Sequence, residues 1–310
     1  MVTPLCRVVA AHRARYLGRD NRQVSSSLRL MAIHAHPDDE ASKGAATMAK
    51  YVADGIQVMV VTCTGGERGD VLHSAALADV EQWGLAEVRR REMAEAARIL
   101  GVQHEWLGFE DSGFPDPENP QPLPVGCFAD LPLDQATAPL VALIRRFRPQ
   151  VITTYDEQGG YPHPDHIRTH EVSIAAVAAA ANPEYQCEGE PWQVSKIYYN
   201  MQFIRARVYA LHEAMLASGF ESPYLEWIER MEKRPDVSNR VTTSIECANF
   251  LHVRDAALLA HRTQIDPEGF FFAVPLDMQK KVWPTEEFEL AKSLVPSELP
   301  ETDLFSGLRN

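Results

Sequence analysis

From Leu28 onward, short apolar runs alternate with stretches of helical spacing. "LRLMAIHA" opens the series as a continuously apolar strand. "KGAATMAKYVADG" has helical spacing and reaches Gly55, a residue suited to the left-handed turn past a helix end. "QVMVVTCT" is β-branched and apolar and predicts a second buried strand. "LAEVRRREMAEAARILG" puts Leu85, Val88, Met93, Ala96, Ala97 and Leu100 on one helical face and stops at Gly101. "HEWLGF" predicts a third strand, followed by a loop rich in Pro, Asp and Gly over 110–126. "DQATAPLVALIRRFRP" is helical, "QVITTYD" a fourth strand, "HPDHIRTHEVSIAAVAAAA" a helix and "SKIYYNM" a fifth strand.

Near-continuous apolar strands that alternate with helices predict a sheet covered on both faces. The expected fold class is therefore α/β, a Rossmann-like, mostly parallel sheet with helices on both sides. After Met201 the rhythm breaks. "RARVYALHEAMLASG" and "VRDAALLAHRTQI" are helical stretches among Pro-containing loops, and predict a C-terminal extension packed on the same domain. Residues 28–310 are thus read as one domain. Residues 1–27 are Arg-rich and nearly free of acid, and are read as a disordered basic tail; their apolar pieces are too short for a secretory leader.

Composition refines this picture only at the edges. The formal net charge of −13 argues against nucleic acid or an anionic membrane surface as partner. Five scattered cysteines without a CxxC pair point to reduced thiols and a cytoplasmic protein. No apolar run approaches the ~18 residues of a membrane span. Both a monomer and a homo-oligomer stay open.

In an open α/β sheet, ligands bind beyond the carboxyl ends of the strands. "HPDDE" follows the first strand, "TGGERGD" the second, "FEDSGF" the third and "YDEQGGYPHPDH" the fourth. Three adjacent carboxylates, Asp38, Asp39 and Glu40, repel one another and call for a positive partner. His36 and Asp39 lie three apart across a tight turn, and His166 comes from another strand end. Two imidazoles and a carboxylate suffice to hold Zn2+, one per chain, with a position left for water. Asp38 is then the expected general base, beside a water whose pKa the ion lowers toward ~7. His163, oriented or charged by Asp165, is the expected general acid or oxyanion donor. The same ligand types would accept Fe2+, and His36, Asp38 and His166 form a rival facial triad for that ion. "TGGERG" lacks the phosphate-loop spacing and is read as a loop lining the pocket, with Glu67 toward the substrate. His34 is expected in the strand core and His170 as a packed or solvated helix residue, while His261 is a weak site candidate.

"AHPDDE" after a first strand, with "HPDH" far downstream, resembles the LmbE-like zinc deacetylases, and "TGGERGD" and "VWPTEEFEL" extend the likeness from about Leu28 to the end. The resemblance implies His36, Asp39 and His166 as zinc ligands and Asp38 as base. It implies His163, backed by Asp165, at the tetrahedral intermediate and leaving amine, and Tyr161 as a mobile residue polarising the carbonyl. Arg89 and Asp111 fall where the family grips sugar and inositol hydroxyls, and Lys43 falls where members acting on thiol conjugates carry lysine. The implied activity is hydrolysis of the amide of a small-molecule thiol conjugate with a glucosaminyl-inositol moiety, a detoxification step. Deacetylation of N-acetylglucosaminyl-inositol is the alternative, and a non-catalytic, metal-stabilised polyol-binding protein the second.

Overall fold

The computed structural model describes residues 28–116, 118, 119 and 121–309, so the expected basic tail lies outside the described residues. The chain runs β1 (Arg29–His34), α1 (Asp39–Ser42), α2 (Ala45–Ala53), β2 (Gln57–Thr64), α3 (Leu77–Trp83), α4 (Leu85–Leu100) and β3 (Gln103–Phe109). It continues with α5 (Leu133–Phe147), β4 (Val151–Thr154), α6 (Pro164–Ala181), β5 (Lys196–Asn200), α7 (Arg205–Ala217) and α8 (Leu225–Glu232). The remaining elements are β6 (Thr243–Glu246), α9 (Leu251–Ala260), α10 (Leu276–Val282) and β7 (Thr285–Ser293).

A strand covered on both sides must be apolar at successive positions. β1 meets that condition from Leu30 and β2 from Val58, where burial becomes continuous. Leu30 and Ala32 point to the face covered by α2, α4 and α9, where they meet Met48, Met93 and Leu258. Met31 and Ile33 point to the opposite face, against Leu140 and Ile144 of α5 and Val172 and Val177 of α6. The strand order is β3-β2-β1-β4-β5-β7-β6. Pairings from β3 through β5 are parallel, and β7 runs antiparallel to both β5 and β6. The chain first builds outward from β1 to β3, then crosses back to β4 on the other side of β1. The resulting switch point lies between the carboxyl ends of β1 and β4, where such sheets bind ligands. No helix of the described residues is long and apolar enough to cross a membrane.

The expected C-terminal extension does pack on this sheet, and it also continues it. β7 holds Glu286 and Glu287 fully inside, 2% and 1% exposed, which the charged spelling "PTEEFEL" did not suggest. The reason is tertiary. α2 begins at Gly44 with no side-chain cap, and Glu286 accepts from the buried first-turn amides of Ala46 at 3.3 Å and Thr47 at 2.8 Å. A carboxylate there satisfies orphan donors and complements the helix dipole.

The final segment is tied under the sheet by a buried ion pair. Lys196 Nζ on β5 donates to Glu301 Oε1 and to Ser306 O, and Tyr198 OH donates to Glu301 Oε2 at 2.6 Å. Lys196 and Glu301 are 0% and 3% exposed. Removing one member strands a charge in the interior. Glu301→Ala is expected to lower stability by about 3–5 kcal/mol, read as a lower urea midpoint with an unchanged slope; the paired change Lys196→Met with Glu301→Leu should recover most of that loss.

Candidate active site at the ends of β1 and β4

The end of β1 is pinned on both sides. Ala35 N donates to Tyr155 OH at 3.0 Å, just past β4, and Ala35 O accepts from Thr64 N of β2 at 2.9 Å. The chain then reverses at Asp38, whose φ of 102° lies in the left-handed region. Such backbone costs about 1–3 kcal/mol and persists only where surroundings impose it. Here Asp38 N donates to Glu40 Oε2 at 2.9 Å, Asp38 O accepts from the amides of Ala41 and Ser42, and Asp39 Oδ2 accepts from His36 N at 3.0 Å.

This turn splays the three carboxylates toward three cations. Asp38 Oδ1 lies 3.9 Å from Arg89 Nη2. Asp39 Oδ1 accepts from Lys43 Nζ at 2.5 Å. Glu40 Oε1 pairs with His261 Nε2 at 2.6 Å, fully inside the protein. The positive partner expected from sequence is thus a separate side-chain cation for each acid, and crowding alone does not require a metal. Burial raises the Asp38 carboxyl above its ordinary range, and Arg89 opposes the shift.

The second wall follows β4. Gly159 and Gly160 both have positive φ, and His163 caps α6, with its Nδ1 accepting from Asp165 N at 3.1 Å. One turn on, His166 donates from Nδ1 to Gly159 O at 2.9 Å, which assigns a free lone pair to Nε2. That Nε2 is buried and has no hydrogen-bond partner. It lies 3.4 Å from Asp39 Oδ2, and His36 Nδ1 lies 3.5 Å from the same oxygen. The ligand atoms of His36, Asp39 and His166 all fall within 4.8 Å of one another.

The donor set fits a divalent cation. An orphaned imidazole nitrogen converges with a carboxylate and a second imidazole. Each ring is held from behind, His166 by Gly159 O and His36 by Asp165, whose Oδ2 is 3.1 Å from His36 Nε2. Such outer partners fix tautomer and raise ligand basicity. The field points the same way. Burial opposes protonation of His36, yet Asp111, Asp165 and Asp39 together hold its pKa well above the usual range. Among the described residues, two groups have metal-ligand geometry, His36 with Asp39 and His166, and His36 with Asp111, His163 and Asp165; neither contains Asp38, so the rival triad of His36, Asp38 and His166 is not assembled.

Two expected pairings differ in the structure. The Asp165 carboxylate does not back His163; it accepts from Ser112 N at 3.0 Å and from Ser112 Oγ, and faces His36. Burial, with His36 and His166 nearby, pushes His163 down to about 3, so its imidazole is neutral. With Nδ1 accepting, the proton resides on Nε2. Glu67 was expected toward the substrate, but its Oε1 accepts from Asp111 N at 2.8 Å and it does not line the cavity.

Arg89, Asp111, Lys43 and Tyr161 all border the cavity. Arg89 is nevertheless largely committed to the fold, donating to Gly66 O and Pro37 O at 2.7 Å each. A Cβ at Gly66 would come within 2.4 Å of its guanidinium, which explains glycine in "TGGERG". The Asp111 carboxylate accepts from Arg68 N and Gly113 N and lies 3.7 Å from His36 Nε2. Tyr161, 41% exposed, stands at the mouth with its ring 4.5 Å from that of His166. His34 is buried in β1, and His170 Nδ1 bonds Tyr155 O, as their strand and helix positions implied. Sequence reasoning missed Ser112, the role of His261, and an aromatic lining from Phe203, Trp227, Phe270 and Phe271. The run "GFFF" after a Pro-containing loop was the available signal for that lining.

The chain is similar to known proteins along most of its length. A family model described as GlcNAc-PI de-N-acetylase matches residues 31–177. The chain is 56% identical over 292 residues to mycothiol S-conjugate amidase of Streptomyces coelicolor, covering 93% of this chain and 99% of the relative. It is 38% identical over 290 residues to the 1D-myo-inositol 2-acetamido-2-deoxy-alpha-D-glucopyranoside deacetylase of Streptomyces avermitilis, covering 90% and 97%. The N,N'-diacetylchitobiose deacetylase structure from Pyrococcus horikoshii superposes with a TM-score of 0.58 over 86% of this chain and 85% of that one; at 20% identity this speaks for the fold.

The geometry predicts how the centre fails. His166→Ala should abolish stoichiometric Zn2+ uptake in equilibrium dialysis while the far-ultraviolet circular dichroism is retained. Gly159→Ala places a Cβ 2.7 Å from that of His166 at a φ of +71°. It should weaken metal affinity about 10–100-fold by disturbing the ring's support.

Proposed function

We propose, from the premise that the chain belongs to the GlcNAc-PI de-N-acetylase family, that it is a zinc-dependent amidase that splits mycothiol S-conjugates into a mercapturic acid and glucosaminyl-inositol. The single observation that carries the choice is the 56% identity to an amidase of that name over nearly the whole chain, against 38% for the deacetylase. The reading places the protein in the cytoplasm, where such conjugates form.

His36, Asp39 and His166 would hold the ion, which when bound supplies Lewis-acid polarisation and an acidified water. The chain's own groups do the rest. Asp38 borders the cavity beside the ligand set, with 26% of its side chain exposed and Arg89 as its cation. Its carboxylate takes the proton of the attacking water and returns it to the departing glucosamine nitrogen. His163 presents Nε2–H to the cavity from a neutral ring, a donor aimed where carbonyl charge develops. Tyr161, kept protonated because burial and Asp39 push its phenol upward, offers a second donor. Lys43 and Asp111 bring polar partners for hydroxyls, and Arg89 and Glu67 position the turns that carry Asp38 and Asp111.

The deacetylase reading breaks the same type of bond to the same amine, and the 38% identity keeps it in view. A non-catalytic polyol binder would not need the partly exposed carboxylate of Asp38 beside the ligands. Metal-loaded protein incubated with a fluorescent mycothiol conjugate and with N-acetylglucosaminyl-inositol should release free amine with the higher kcat/KM from the conjugate; preference for the second substrate would make it the deacetylase, and release from neither the binder. His163→Ala should fold and retain metal, with kcat lowered about 10²–10³-fold. Unchanged turnover would remove His163 from the reaction.

A further inference from the structure

The cavity above the ligand set is large, about 1280 Å³, and chemically divided. The loops after β1 to β4 line it with charged and hydrogen-bonding groups. The segments 201–237 and 265–271 bring an apolar patch of Phe203, Trp227, Met231, Phe270 and Phe271, with the polar Gln202, Arg205, Arg234 and Asp236 also on the lining. Four rings form a connected sheet of π surface there. Phe203 lies 5.6 Å from Trp227, Trp227 stacks on Phe270 at 4.6 Å and 16°, and Phe270 meets Phe271 edge-on at 5.8 Å. Phe203 is 37% exposed although it faces a concave site.

A polyhydroxylated sugar needs fixed polar partners, which this wall cannot give. An acetyl group is too small to reach across such a surface. In an S-conjugate the group carried on sulfur is the one large part that requires no hydrogen bonds. We propose that Phe203, Trp227, Phe270 and Phe271 form the subsite for the sulfur substituent and make the enzyme selective for aryl and other bulky apolar adducts. This inference rests on the amidase reading above. Flat rings flanked by the unbranched Met231 accept many shapes, so selection is by apolar area and not by outline.

The test is a series of mycothiol conjugates bearing S-methyl, S-propyl, S-benzyl and S-naphthylmethyl groups. In the wild type, kcat/KM should rise along the series by about tenfold or more, mainly through KM. Phe203→Ala should lower kcat/KM about tenfold for S-benzyl and less than threefold for S-methyl, and Phe203→Leu should recover part of the loss. The product S-benzyl-N-acetylcysteine should quench tryptophan fluorescence of the wild type, and Trp227→Phe should remove that component. A wild type that cleaves all conjugates with equal kcat/KM overturns the subsite and leaves the amidase standing. So does a Phe203→Ala variant that slows every conjugate alike. A metal-loaded wild type that cleaves no conjugate overturns the amidase reading and the subsite together.

Discussion

Like-charge repulsion at residues 38–40 is the constraint around which the site is organised. Three neighbouring carboxylates at the mouth of a buried sheet cannot share one environment. The left-handed residue Asp38 separates them, and each is met by a cation from a different element: Arg89 of α4, Lys43 beyond α1, and His261 beyond α9. Because α4 and α9 lie on the same face of the sheet, the hydrophobic cluster that joins them also sets the charges that hold the turn. Packing and electrostatics are therefore not separable here. The turn in turn decides that Asp39, and not its neighbours, shares an oxygen between His36 and His166.

The two parts of the chain divide the labour. The sheet from β3 to β5 supplies the candidate reacting groups, at the switch point where a parallel sheet leaves strand ends open. The C-terminal extension supplies enclosure. It adds β7 and β6, caps α2 with Glu286, anchors its end through Glu301, and raises an aromatic wall beside the ligand set. In the proposed reading, hydrolysis of the amide draws on the first part and selection of the acyl group on the second.

His163 illustrates how a backbone contact can set chemistry. Its Nδ1 is occupied by the amide of Asp165 at the start of α6, so the ring is a donor at Nε2 without carrying charge. A carboxylate in that position would have favoured the imidazolium. The Asp165 carboxylate instead supports His36, and Ser112 holds it there. One residue thus serves two histidines, one through its main chain and one through its side chain.

The sequence by itself determined the order of the five strands and of the longer helices between them to Met201, though not the short α1 and α3, together with the residues that end the strands and the three members of the candidate metal group. Those features follow from local rules: apolar strands signal burial, glycine ends helices, and acids and imidazoles at strand ends are too costly to bury without a purpose. Tertiary structure decided the partner of every group. Glu40 finds His261 221 positions away, His36 finds Asp165 129 away, and Arg89 and Glu67 turn to backbone atoms where substrate hydroxyls were expected. It also decided that "PTEEFEL" enters an inner strand of the sheet, paired on both sides, and that four dispersed aromatic rings make one wall. Spacing along the chain carries no record of such contacts, because a side chain's charge, tautomer and direction are set by what the fold brings to it from elsewhere.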